Sequence, residues 1–453
     1  MKIITIKSIL IFFVTVLIPF SFPLQVMASS PIPSLAPYFG MILIFMLSLG
    51  VSSHAMKIKK KSSSVIVFMI MIYILLVIFQ TTWQLVLGFI SIENGISALV
   101  IFLLPTLFFV YFRVIATNQE IRVFFFAASI VGLIVGLYFV YDSFSMLVLG
   151  HVNDYSVKAF EYSQLRSPGD DINSARISAG YRSHGLLENH TVTALWIVLG
   201  CFSALSLIPQ KQLFQRSMVI VIYGMFLLIG LNFTSIVGFT IVILLVEFRG
   251  YDLLMRGIII PKKVASLLMI VVIFFVFLGL IQFLMPDLAV NEMYNKVLLS
   301  LTEQVDLARG TALLSSNKTY FDGLVINLYS YFYNLLDYPL GLIIGDGFSA
   351  FGSKKGGDYG IIDTLHRFGL LFFITIFFGL LKLTYRAINQ VEFSNPDLLK
   401  KNSYLLFASS FTMYILFIEI HYSAWSSKSV LPILFICLAL FDRYVHPSIR
   451  IKM

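Results

Sequence analysis

Residues 3–27 read IITIKSILIFFVTVLIPFSFPLQVM, with Lys7 the only charged side chain. A helix needs about 20 apolar residues to cross the hydrocarbon of a bilayer. The lysine-flanked start also resembles a secretory leader, but the VMASS that ends it lacks a small-x-small cleavage site. The run is therefore read as a retained first span.

The rest of the chain repeats this pattern. Hydrophobic residues make up 58% and charged residues 12%, with 44 Phe, whereas a soluble domain is about 25% charged. Only helices and closed barrels satisfy backbone hydrogen bonding in lipid, and continuous apolar runs favour helices over the alternating pattern of a barrel. The expected fold is an all-α polytopic integral membrane protein with about twelve transmembrane helices. Their positions are near 3–27, 32–52, 64–87, 96–115, 123–148, 189–208, 217–232, 234–249, 264–285, 360–385, 403–420 and 429–445. The whole chain, 1–453, reads as a single membrane domain.

Charge sets the expected orientation. With the N-terminus inside, inward segments hold 21 of the 32 cations, including the run Lys57, Lys59, Lys60 and Lys61. The positive-inside rule then places both termini in the cytoplasm. A net charge of +9 thus reflects topology, and no nucleic-acid partner is expected. Ten of the eleven remaining cations fall in the third outward loop, 149–188, and the fifth, 286–359 with the span entry after it. Cations placed against the topological rule point to a function.

The third loop brings Arg166, Arg176, Arg182, His184, Glu188 and His190 toward the sixth span. In RSHGLLENH (182–190), Arg182 precedes a helix N-terminus, where backbone N–H groups and the dipole favour an anion. Arg166 and Arg176 read equally well as solvated loop charge. His184 and His190 are candidate bases but also ordinary surface histidines. The Tyr-rich part of the fifth loop is expected to form interfacial helices. The seventh and eighth spans meet at LNFTS with almost no loop, which implies a tilted or bent hairpin.

Several chemistries are not supported. No GxxxxGK[ST], HExxH or GxSxG motif occurs. Cys201 and Cys437 lie in apolar runs without a pairing pattern and read as core residues. The first outward loop, ASSPIPSLA, has no carboxylate to hold a metal. A reaction at a pyrophosphate would then rely on arginine and lysine, with no metal and no cofactor.

Three stretches together resemble the O-antigen polymerase and O-antigen ligase superfamily of bacterial membrane proteins. They are RSHGLLENH, PLGLIIGDGFSAFG (339–352) and GGDYGIIDTLHRFGLLFF (356–373). The resemblance covers roughly residues 120–440, and its proline, glycine-pair and aromatic pattern falls on Pro339, Gly345, Gly347 and Phe348. It implies transfer of a glycan from undecaprenyl pyrophosphate to another lipid-linked repeat unit. Arg182 takes the pyrophosphate-binding position, with Arg309 of the fifth loop as its partner. Ligases place a histidine eleven residues before the glycine that matches Gly369; here that position is Asp358.

The aspartate favours a polymerase, with Asp358 as base or acceptor-orienting group. Lys354 and Lys355 are further cations, and Arg176, His184 and Glu419 are candidate substrate contacts. Glu419, in FIEIHYSAW (417–425), is an ionisable group at the end of a span and a functional candidate on that ground. His366 reads as a packing or hydrogen-bonding residue, and Arg367 as the i,i+4 partner of Asp363. The implied partners are the lipid-linked oligosaccharide as donor and acceptor, membrane lipids, a chain-length regulator and a flippase. The alternatives are a ligase-like transferase, which joins finished polymer to another acceptor, and a polysaccharide flippase or transporter.

Overall fold

A computed structural model describes residues 2–30, 32–49, 64–88, 90–147, 153–164, 185–187, 189–210, 212–230, 233–248, 360–390, 399–420, 425 and 427–445. It also describes isolated positions 268, 270, 272, 325, 328, 329, 333, 343 and 345. The described residues form helices and no strands. In order these are α1 (Lys2–Ala28), α2 (Ala36–Leu49), α3 (Ser64–Val86), α4 (Ile92–Leu103), α5 (Thr106–Val110) and α6 (Asn118–Leu147). There follow α7 (Asp154–Gln164), α8 (His190–Leu207), α9 (Leu213–Ile229), α10 (Phe233–Val242), α11 (Gly360–Asn389), α12 (Leu399–Ile418) and α13 (Leu431–Tyr444). Wider π-turns extend α5 over Tyr111–Ile115 and α10 over Ile243–Glu247.

Among the described residues, six segments are long and apolar enough to cross a membrane: Ile6–Ala28, Val65–Val86, Ile92–Ile115, Asn118–Ser145, His190–Leu207 and Gly360–Asn389. Shorter apolar helices run over Ile32–Ser48, Leu213–Ile229, Thr234–Glu247 and Asn402–Ile418. This is the helix set of a multi-pass membrane protein. Large apolar side chains such as Phe13, Phe39, Met46, Phe68, Leu75 and Phe378 point outward, where lipid rather than water would meet them.

Local sequence explains where several helices begin. Thr117-Asn118-Gln119-Glu120 is a capping box that starts α6. The Thr117 amide donates to Glu120 Oε2 at 2.6 Å and the Glu120 amide to Thr117 Oγ1 at 3.2 Å, so two otherwise orphaned donors are satisfied. Ser91 caps α4 through the Asn94 amide, and Asn189 caps α8 through the Val192 amide at 2.9 Å.

The chain forms two compact units. One comprises Met1–Ser21, Ile32–Ala128 and Ser330–Met453. In it α11 packs on α12 and α3, and α13 packs on α12 and α5. The Arg443 guanidinium caps the turn after α5, donating to the Ala116 carbonyl at 2.5 Å and to that of Phe112 at 3.3 Å. Arg113 pairs with Asp442, and the Tyr444 hydroxyl donates to Asn118 Oδ1 at 2.9 Å. Tyr404, near the start of α12, donates to the Asn118 carbonyl. One end of this unit is thus closed by side chains satisfying the carbonyls that a terminating helix leaves free.

The second unit comprises Phe22–Pro31 and Ser129–Tyr329. Its α6 and α8 approach at Gly132 and Gly200; a Cβ on Gly132 would lie 2.6 Å from the Gly200 Cα. Small residues allow this backbone contact, a recurrent way of packing helices in membranes. The α9–α10 pair packs together, and residues 231 and 232 of LNFTS, which join the two helices, lie outside the described residues. Its far end is fastened by Arg216, whose Nε and Nη2 reach Glu247 at 2.7 and 2.5 Å, while Nη1 donates to the Leu205 and Ile208 carbonyls at 2.5 and 2.7 Å. The bidentate pair and the carbonyl contacts satisfy a guanidinium that is otherwise buried.

Candidate functional site

In the first unit, two glycines from separate stretches of the chain meet. Gly369 interrupts α11 with φ 77° and ψ 171°, and Gly345 has φ 76°. A methyl group on Gly345 would overlap the Arg367 carbonyl and the Gly369 nitrogen, and one on Gly369 would overlap the Ile343 carbonyl and the Gly345 nitrogen. Both positions need left-handed backbone and room for a second backbone, and glycine alone supplies both. Gln80 of α3 donates to the Arg367 carbonyl at 3.0 Å.

Just above this crossing, the first turns of α11 carry the polar residues. Asp363 and Arg367 form the i,i+4 pair, 2.9 Å apart. Thr364 donates its hydroxyl to Glu419 Oε1, and the Trp425 amide donates to Glu419 Oε2 at 3.2 Å. Glu419 is only 1% exposed, so a single carboxylate joins the end of α12, the turn at Trp425 and the entry of α11. Trp425 packs its ring on Phe372 and Phe373 at 6.0 Å. An apolar cleft beside it is lined by Tyr73, Phe372, Ile376, Trp425, Leu434 and Leu438. His366 is half-buried on α11.

In the second unit, the corresponding feature is centred on Asp142, near the end of α6 and fully buried. Asn153 donates its amide to Asp142 Oδ1, and the Ser156 hydroxyl donates to the same oxygen at 2.9 Å. The Gly185 amide donates to Oδ2 at 3.3 Å. Asn153 Oδ1 in turn accepts from the Tyr138 hydroxyl and the Ser156 amide, both at 2.9 Å. On α7, the Tyr155 hydroxyl donates to the Leu186 carbonyl at 2.7 Å. Burial pushes the Tyr155 phenol well above its ordinary range, with Tyr138 and Asp142 adding to the effect, so it remains a neutral donor.

Of the residues singled out from the sequence, Glu419 has a described position, and it is a buried anchor. Asp358, Arg182, Arg309, Lys354, Lys355, Arg176 and His184 lie outside the described residues, as do Arg166, Glu188, Pro339, Gly347 and Phe348. His190 is the first residue of α8. The helix start expected to favour an anion begins after Asn189, whose side chain already accepts one first-turn amide. Local capping thus takes part of what an anion would use.

Sequence reasoning passed over Asp142, Asn153 and Ser156. The signal for Asp142 was available: an aspartate inside the apolar run 123–148 is the kind of intramembrane ionisable residue that drew attention to Glu419. The site thus belongs to an all-helical, multi-pass membrane protein in which buried carboxylates at helix ends hold the connecting segments. No protein-family model matches this chain, and no curated protein is similar enough to count as a match.

Proposed function

We propose that this protein polymerises undecaprenyl-pyrophosphate-linked oligosaccharide repeat units into O-antigen, capsular or exopolysaccharide chains. The reaction is placed on the outer face of the bacterial cell (inner) membrane. In this reading the chain crosses about twelve times with both termini cytoplasmic, and the third and fifth outward loops carry the chemistry. The observation that supports it most directly is the backbone crossing of Gly345 and Gly369. These glycines come from two separate stretches on which the resemblance rests, and they meet in one local structure beside the entry of α11.

The chemistry follows from the residue types. Arg182 and Arg309 bind the pyrophosphate leaving group, where fixed cations stabilise charge as it develops. Lys354 and Lys355 add positive charge, and Arg176 and His184 contact the substrate. Asp358, two residues before the first described residue of α11, accepts the proton of the attacking sugar hydroxyl or orients it. Glu419 holds the first turns of α11 through the Thr364 hydroxyl. The histidine that a ligase would carry is replaced by Asp358, which favours polymerisation over a ligase-like transfer and over a flippase.

The test is a purified full-length protein with a lipid-linked repeat unit, with and without a chelator. Polymer is expected in both cases, and polymer lost on chelation would reject metal independence. Arg182→Ala and Asp358→Ala should each abolish long chains while the protein still accumulates in the membrane. Normal chain-length ladders from both variants would overturn the assignment.

A further inference from the structure

We propose that the end of the first unit where the start of α6 meets α12 and α13 binds the phosphate headgroup of an anionic membrane phospholipid through Arg122 and Arg443. The site does not depend on the polymerase reading and uses none of the residues assigned to that reaction.

The cluster is built around Asn118, the first residue of α6. The Tyr404 hydroxyl of α12 donates to its carbonyl at 3.3 Å, and the Tyr444 hydroxyl of α13 to its Oδ1 at 2.9 Å. The two tyrosine rings lie 5.4 Å apart. The Arg443 guanidinium carbon sits 5.4 Å from the centre of the Tyr444 ring, and the charges of Arg122 and Arg443 both act on the Tyr404 hydroxyl. Arg122 follows Asn118 at i,i+4 and so shares its face of α6. Tyrosine is at home where a span meets the headgroups, and basic pockets between spans are places where anionic headgroups bind.

What this end offers a ligand is hydrogen-bond donors. Arg443 uses Nη1 on the Phe112 and Ala116 carbonyls, which fixes the guanidinium, and its Nε and Nη2 make no hydrogen bond among the described residues. Arg122 is exposed and makes neither a hydrogen bond nor an ion pair among the described residues. Asn118, its side-chain oxygen taken by Tyr444, keeps its NH2 group to donate. The nearby carboxylates are withdrawn: the Asp442 side chain is 2% exposed beside Arg113, and Glu120 is 1% exposed in its capping box. The charge presented outward is therefore positive. A phosphate, an acceptor at every oxygen, matches guanidinium donors and the N-terminal dipole of α6.

The neighbouring surface selects a lipid over a free anion. Phe126, one turn beyond Arg122 on the same face of α6, is 53% exposed. A phospholipid engages both parts, its phosphate on the guanidinium groups and an acyl chain along Phe126. Inorganic phosphate would engage only the first.

The experiment titrates purified full-length protein in detergent with a fluorescent phosphatidylglycerol, in competition with unlabelled phosphatidylglycerol, phosphatidylcholine or inorganic phosphate. Phosphatidylglycerol is expected to compete, and the other two to compete far less well. Arg122→Gln, at an exposed position without a hydrogen bond, should keep the parent's size-exclusion profile and weaken binding about fivefold, the loss of one basic residue at a membrane surface. Arg122→Lys should weaken it less, because a point charge loses only the bidentate geometry. Lys382→Gln, on the exposed surface of α11, should leave the affinity as it is.

Unchanged affinity in Arg122→Gln would overturn the proposal, and so would an equal loss in Lys382→Gln, which would make the attraction a diffuse effect of net charge. If Arg122→Gln does not accumulate, Arg122→Lys must weaken binding, and an unchanged affinity there overturns the proposal equally. Equal competition by phosphatidylcholine would reject recognition of the headgroup charge. Equal competition by inorganic phosphate would reject a lipid as the occupant.

Discussion

Asp142 and Glu419 solve the same physical problem in two different units. Each is a buried carboxylate at or just beyond the end of an apolar helix, and each accepts one hydroxyl and one backbone amide: Ser156 and Gly185 for Asp142, Thr364 and Trp425 for Glu419. They differ in the origin of their donors. Asp142 has a further donor in Asn153 and gathers one loop around itself. Glu419 draws its hydroxyl from a different long helix, α11, and so ties two helices together. A carboxylate in an apolar setting thus acts as a collecting point for donors, and their source decides whether it holds a loop or joins helices.

The units also differ in how their glycines are used. Gly369 faces the backbone of Ile343 and Gly345, which cannot rotate away, whereas Gly185 faces the Thr193 side chain, which can shift. Gly369→Ala should therefore have the largest effect, adding overlap to a strained φ that alone costs about 1–3 kcal/mol. Loss of folded protein on detergent size-exclusion is expected, with Gly185→Ala milder. A wild-type elution profile for Gly369→Ala would break this contrast.

Removing the collecting points comes next. Asp142→Ala strands Asn153, Ser156 and the Gly185 amide, and Glu419→Ala strands Thr364 and the Trp425 amide. At about 1–3 kcal/mol for each buried polar group left unsatisfied, Asp142→Ala should lower the thermal midpoint in detergent further than Glu419→Ala. The reverse order would show that joining two helices outweighs holding one returning segment. Single hydroxyl removals should be smallest: Ser156→Ala and Thr364→Val each forfeit one hydrogen bond to a carboxylate, about 1.5–3 kcal/mol before relaxation. Comparable small shifts in both would show that the two carboxylates hold their hydroxyls alike.

How much of this was legible in the sequence depended on the distance between partners. The Asp363–Arg367 pair could be read at i,i+4 because helix geometry brings those positions together. The packing of α9 on α10 could be read because LNFTS leaves almost no connection between them. Glu419 could be flagged by its type and depth, but neither its partner Thr364, 55 positions away, nor its anchoring role could be named. Asp142 could have been flagged on the same ground, but its donors at 11, 14 and 43 positions along the chain could not be named, because no periodicity links them to it. The α8 start, read as open to an anion, is partly closed by Asn189, a local cap that the sequence already contained.

The amino-acid sequence alone determined the class of the protein and the positions of its apolar helices, because burial of apolar length in lipid and backbone satisfaction within each helix are local requirements. Tertiary structure decided which polar groups these helices bring to their ends. A buried carboxylate takes whichever donors the fold delivers, and only folding placed Gly185 on Asp142, Thr364 on Glu419 and Gly345 against Gly369.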